Sequence, residues 1–287
     1  MVKYQFFYKL TIIKMKSQYK CCICGPVRNC GPYLDKVFEN IEKIGELFED
    51  YVILMYYDKS TDNTLEKLKE YQNKNPKLKF YVNNYEVSPY RTHRIAEARN
   101  FCLRQIWNTY EDYPFFIMMD CDDVNCKNIN TEVLKKYLDR TDWDALSFQT
   151  SPSYYDIWAL SIKPFTFSYN HFLNNEHYYK VIQKYVTHLL DNLKNNKLLP
   201  CISAFNGFSI YRTSQFRNCW YDGNIRLDLL PKQYILKHME ITDSPIIFKE
   251  YGVVNGYYED CEHRAFHLVA INNNNAKIRI SPEIIFT

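Results

Sequence analysis

Phe115-Phe116-Ile117-Met118-Met119-Asp120-Cys121-Asp122-Asp123 decides how the rest of the chain is read. The apolar run is compact and suits a strand buried on both faces. It stops abruptly at three acids. An earlier run, Val52 to Tyr57, ends in the same way at Asp58, followed by the turn Ser60-Thr61-Asp62-Asn63. Residues 20–25 read as a further strand, ended by Gly25-Pro26, and Lys79 to Val82 as another. Between them come three sets at near-helical spacing: Leu34, Val37, Ile41, Ile44 and Phe48; Leu65, Leu68 and Tyr71; Ile95, Ala98, Cys102 and Ile106. Strands alternating with helices imply βαβ units and an α/β fold with a mainly parallel sheet flanked by helices. Ligands of such sheets bind outside the carboxyl ends of the strands, where Asp58 and Asp120 both fall.

Past about residue 150 the pattern is mixed. Leu146 to Gln149, Ile157 to Ile162 and Phe208 to Tyr211 read as strands, the last after an Asn206-Gly207 turn. Val181, Tyr185, Leu189 and Leu193 mark one face of a long helix. Residues 259–271 read as helical, Asn272 to Asn275 as a polar loop, and Lys277 to Ile280 as a last strand. No repeat or linker divides the chain, so one domain is expected.

The chemistry starts with Asp120 and Asp122. Two carboxylates at i and i+2 in a turn after a strand can face one ion, and Mn²⁺ or Mg²⁺ takes such oxygens together with substrate phosphates. A solvated acidic turn is the structural alternative; the position at the sheet's carboxyl edge favours the site. Arg91 and Arg94 lie near the start of a helix, where dipole and guanidinium both favour phosphate. The alternative is an exposed basic face paired with Glu97. Late in the chain, Glu259-Asp260-Cys261-Glu262-His263-Arg264-Ala265-Phe266-His267 gathers acids and histidines. His263 and His267, at i and i+4, share one helix face and could hold a metal; a half-buried helix with solvated charges is the alternative.

The run Tyr57-Asp58-Lys59-Ser60-Thr61-Asp62-Asn63-Thr64 resembles the second-strand motif of family 2-like glycosyltransferases of the GT-A type. Tyr90 to Asn100, with its Ala98-Arg99-Asn100, resembles that family's Ala-Arg-Asn helix, and Asp58, this helix and Asp120-x-Asp122 follow the family's order. Gly25-Pro26-Val27-Arg28-Asn29 sits where the family's first strand meets the donor. The stretches 154–160 and 205–212 look like GT-A glycosyltransferases of giant DNA viruses, which implies an enzyme acting on virion or surface glycans. The resemblance implies a GT-A (Rossmann-like) domain that transfers a sugar from a UDP- or GDP-type donor to a glycan or protein hydroxyl. It implies residues 20–150 as the nucleotide-sugar half and 151–287 as the acceptor half; residues 1–19, apolar but broken by Lys3, Lys9, Lys14 and Lys16, read from the sequence itself as a leader or added strand. It further implies Asp58, Arg94, Arg91 and Arg28 on the nucleotide, and Asp120 and Asp122 on Mn²⁺ or Mg²⁺ with His263 or His267. A late acid, Asp260 or Glu262, is implied as general base. Trp158 is the preferred wall for an acceptor sugar, core packing being its alternative. Two departures stand out: Tyr57-Asp58 lacks the usual second acid, and the late motif differs from Glu-Asp-x-Asp. A nucleotidyltransferase or a non-catalytic sugar-binding module are the rival readings.

Composition excludes other classes. The 36 basic and 33 acidic residues are interspersed, with a net charge of +3, so no nucleic-acid partner is expected. No stretch has the length and apolarity of a membrane span. The 10 cysteines, four of them at Cys21, Cys22, Cys24 and Cys30, read as free thiols of a reducing, cytoplasmic setting (host cytoplasm or virion if viral). The abundance of Tyr, Phe, Lys and Asn reads as codon bias of an AT-rich genome.

Overall fold

The computed structural model describes residues 17–85, 88–194, 196–242, 245–247 and 259–287. The expected leader or added strand lies, up to residue 16, outside these.

Among the described residues, eight strands form one mixed sheet. They are β1 (Lys20–Val27), β2 (Asp50–Tyr57), β3 (Leu78–Val82), β4 (Phe115–Met119), β5 (Ala145–Gln149), β6 (Leu199–Pro200), β7 (Phe208–Arg212) and β8 (Ile278–Ile284). Their spatial order is β3-β2-β1-β4-β7-β5-β8-β6. The first four pair in parallel; β7 runs antiparallel between β4 and β5, and β8 is again parallel to β5. The helices are α1 (Leu34–Gly45), α2 (Thr64–Lys74), α3 (Arg91–Thr109), α4 (Thr131–Lys135), α5 (Asn175–Asp191), α6 (Lys232–Thr242) and α7 (Glu262–Asn274).

Alternate residues of the central strands feed two cores. Cys21, Ile23, Phe115 and Ile117 pack with α1, α2 and α4. Cys22, Cys24, Phe116 and Met118 pack with α3 and α7. Burial on both faces is why these strands read as unbroken apolar runs. A third cluster packs α5 against Tyr154, Ile157, Leu160 and β8.

Four expectations need correcting. The first strand does not stop at Gly25-Pro26 but continues to Val27. Its ladder to β4 ends at Cys24–Met118 while that to β2 continues, so Pro26 sits on an edge-like segment where proline is tolerated. Gly25 is there because a Cβ would stand 2.6 Å from the Met119 carbonyl oxygen. Residues 157–162 are not a strand: only the isolated bridges Ser161–Ser203 and Ile162–Phe165 form. The late helix begins at Glu262 and runs through the expected polar loop to Asn274. The buried face of α5 is centred one residue on from the expected one, at Ile182, Val186 and Leu190.

Candidate active site

The parallel strands β1, β2 and β4 end together, and α3 starts beside them. Their ends enclose a cleft of about 230 Å³ lined by Arg28, Asp58, Arg91, Arg94, Asp120 and Asp122, with Ile95, Ala98 and Cys121 among its apolar walls. These six polar side chains come from four separate places in the sequence.

Asp58 follows the last residue of β2. Its Oδ2 lies 3.0 Å from an Arg28 Nη1 and 3.7 Å from Arg94 Nε. Its Oδ1 accepts from the Lys59 amide and from Asn83 Nδ2. Arg94 also donates to the Ser88 and Pro89 carbonyls. At the start of α2, Asn63 makes no side-chain cap bond, while Asp62 Oδ1 accepts from the Thr64 amide and hydroxyl. Other side chains and amides of the 60–64 turn bond sideways to the first turn. Ser60 Oγ accepts from the Asn29 amide, the Thr61 amide donates to Asn29 Oδ1, Asp62 Oδ2 accepts from the Gly31 amide, and Thr64 Oγ1 from the Cys30 amide. Asn29 adopts φ 52°, a left-handed conformation that asparagine tolerates.

The turn after β4 is held from beneath. The Asp120 amide and Asn125 Nδ2 both donate to the Gly207 carbonyl, at 2.9 and 2.6 Å. Gly207 itself has φ +78°, and a Cβ there would stand 2.6 Å from the Tyr155 hydroxyl. Asp120 Oδ1 accepts from Arg99 at 2.8 Å. Burial pushes the Asp120 carboxyl up to about 7; Arg99 opposes this, and Asp122, Asp156 and Glu262 add to it. Burial likewise raises Asp122, with Asp123 beside it. Asp122 Oδ1 accepts from the Val124 amide.

The late acids have three fates. Glu259 Oε1 accepts from the amide and the hydroxyl of Thr92 at the start of α3. Asp260 pairs with Arg264 Nε at 2.9 Å and accepts from the Cys261 amide, with His171 at 3.7 Å. Burial alone would raise Asp260, but Arg264 and His171 outweigh it and hold the carboxyl down at about 2. Glu262, the first residue of α7, turns toward Arg99, at 3.2 Å, and burial raises its carboxyl. His267 spends both ring nitrogens, on Ser203 Oγ at 2.9 Å and the Tyr211 hydroxyl at 3.3 Å. His263 is buried and stacks on Phe205 at 3.9 Å. Burial lowers both imidazoles, with the Arg99 charge adding to it. Trp158 lies half-buried, with the Arg91 guanidinium 5.7 Å from its ring.

Two residues at the centre were not singled out from sequence. Arg99 joins Asp120 to Glu262; it stands inside the Ala98-Arg99-Asn100 run, and that run was the available signal. Asp156 accepts from the Ala159 and Asn206 amides and lies near enough to Asp120 and Glu262 to raise both. Only its place in a Tyr-Tyr-Asp stretch hinted at it.

Among the described residues, no three His, Cys, Asp or Glu side chains are grouped to hold a metal ion. Asp120 and Asp122 nevertheless fit a hard cation. Both line the cleft, both carboxyls are raised, and each keeps an oxygen with no hydrogen bond among the described residues. A cation there would complete its shell with water and ligand oxygens, as Mg²⁺ commonly does. His267, with both nitrogens engaged, does not fit the role of third ligand.

Several solved structures resemble this one in chain path. S. aureus TarS 1-349 matches at 18% identity and a TM-score of 0.46, covering 93% of this chain and 59% of that one. The same protein in complex with UDP-GlcNAc matches at 18% and 0.45, covering 93% and 57%. The mannosyltransferase PcManGT from Pyrobaculum calidifontis, in complex with GDP-Man and Mn²⁺, matches at 14% and 0.44, covering 72% and 48%. This chain thus spans less than two thirds of the length of each. No curated protein sequence matches it. No helix among the described residues is long and apolar enough to cross a membrane. The family model described as glycosyl transferase family 2 matches residues 22–211, a stretch that contains the whole cleft and well over half of the chain, and the chain therefore belongs to glycosyl transferase family 2.

Proposed function

We propose that this chain transfers a sugar from a UDP- or GDP-type nucleoside-diphosphate sugar to a hydroxyl of a glycan or protein, with inversion at the anomeric carbon. One observation carries the reading: Arg28, Asp58, Arg91, Arg94, Asp120 and Asp122 converge on one cleft at the carboxyl edge of the sheet. Residues 20–150 supply this donor side, and residues 151–287 supply the acceptor side.

Asp58 is an acceptor-only group suited to a ribose hydroxyl or a base N–H. Arg28 is about half exposed and can leave Asp58 for a phosphate at little cost. Arg91 and Arg94, on the first turn of α3, meet negative charge with the help of the helix dipole. Mn²⁺ or Mg²⁺ held by Asp120 and Asp122 would neutralise charge on the departing diphosphate. Glu262 is the base: its raised carboxyl takes up a proton more readily than an ordinary glutamate. Asp260 fits that role less well, because Arg264 and the Cys261 amide occupy its oxygens. In the transfer, the acceptor oxygen forms a bond to the anomeric carbon and gives its proton to Glu262. The bond from that carbon to the diphosphate breaks, and its electron pair leaves with the nucleoside diphosphate. Trp158, beside Arg91, offers a flat face to an acceptor sugar. The likeness to giant-virus enzymes extends the reading to virion or surface glycans. A cytoplasmic setting accompanies it, since all ten cysteines are free thiols.

The test is nucleoside-diphosphate release from a panel of UDP- and GDP-sugars, with Mn²⁺ and with chelator. Mn²⁺-dependent release from one donor supports the reading. Neither binding nor release across the panel, with the protein folded, overturns it.

A further inference from the structure

Arg99 is 3% exposed and sits between two carboxylates that belong to opposite sides of the proposed reaction. One guanidinium nitrogen lies 2.8 Å from Asp120 Oδ1, the other 3.2 Å from Glu262 Oε1. The guanidinium carbon lies 4.4 Å from the Phe205 ring centre and 5.7 Å from that of Tyr221. Tyr221 is itself fixed, because its amide and carbonyl exchange hydrogen bonds with Asn100, both 2.8 Å. Neighbouring residues of α3 thus set the cation and clamp one of the aromatic residues beside it.

A planar guanidinium with one nitrogen hydrogen-bonded to Asp120 and the next within ion-pair distance of Glu262 limits the separation of the two carboxylates. A buried ion triad is a poor way to gain stability alone, since apolar side chains of similar volume often do as well. What apolar residues cannot do is hold two carboxylates in register. We propose that Arg99 is a positioning residue: it ties the donor-side carboxylate of Asp120 to that of Glu262 and sets the distance between donor and base. The inference rests on the reading of Asp120 and Glu262 given above. A lysine would keep the charge but not the two-pronged geometry.

The bridge is tested first without substrate, by urea unfolding of wild type, Arg99→Met, Glu262→Gln and the double variant. Removing Arg99 alone leaves the buried Glu262 carboxylate, and the partly buried Asp120 beside it, uncompensated, so the double variant should have a higher midpoint than Arg99→Met. Additive effects of the two changes overturn the bridge. Turnover is read next, on the donor that wild type accepts. Arg99→Lys should lower kcat about a hundredfold, the scale of a misplaced reacting group, with donor KM within about threefold. Guanidinium ion added to Arg99→Ala should restore part of kcat, and ammonium should not. A folded Arg99→Lys with wild-type kcat, or loss confined to KM, overturns the positioning role. If wild type binds and turns over no donor while the non-additive coupling is present, the functional reading fails and the bridge stands.

Discussion

Asp120 and Asp260 are the same residue type, both close to charged neighbours, and their carboxyls move in opposite directions. The first is pushed up to about 7, the second held down at about 2. Asp120 shares one arginine with Glu262 and faces further acids. Asp260 pairs directly with Arg264, with His171 behind it. A carboxylate whose counter-charge is already supplied by the fold holds the fold together. One whose counter-charge is incomplete is prepared for a cation that arrives from outside. On that basis we propose the cleft around Asp120 and Asp122 as the place for chemistry and the cluster around Asp260 as a place for structure.

The strongest way to break this contrast is Asp122→Asn. Divalent-dependent release of nucleoside diphosphate should fall about a thousandfold or more while the urea midpoint stays near wild type. Retained, metal-independent turnover would remove the cation from the account. Next comes Glu262→Gln, for which turnover at saturating donor should fall at least about a hundredfold with nucleotide binding preserved. Asp260→Asn should do the reverse. It leaves Arg264 buried without its partner, so unfolding should show a loss of about 3–5 kcal/mol, and the folded fraction should keep kcat within about tenfold of wild type. A large drop in kcat with unchanged stability would move the base from Glu262 to Asp260.

The same pair predicts a pH effect. The folded Asp260 carboxyl lies at about 2, below the unfolded value of about 4. Its contribution is therefore fully present above about pH 4 and is lost as pH falls through 2. Wild type and Asp260→Asn should converge in stability across that interval, and curves that stay parallel would deny Asp260 its ion pair. The smallest effect expected is for Asp58→Asn, a rise in donor KM of about tenfold with kcat little changed, measured by initial rates.

Much of this was legible in the residues. Fully buried parallel strands write themselves as apolar runs, and β2 and β4 break off at polar groups, so the edge of the sheet and the acids on it could be found by inspection. Ile157 to Ile162 misled because it is as buried as a strand without being one. Its carbonyls at Trp158 and Leu160 are taken by Arg264 rather than by a neighbouring strand. No periodicity signals that exchange. Arg99 was hidden for a related reason. Its partner Glu262 is far away in sequence, and only the packing of α3 beside α7 reveals what it joins. The fates of Glu259, Asp260 and Glu262 could not be separated either, because each depends on which element it meets: α3, Arg264 or Arg99.

The sideways hydrogen bonds between residues 29–31 and 60–64 have a practical consequence. The two turns that flank Asp58 are one cassette. An attempt to change the accepted nucleotide by grafting only the second turn from another enzyme would leave the Asn29, Cys30 and Gly31 amides without their acceptors. A graft that keeps its register must carry both turns together.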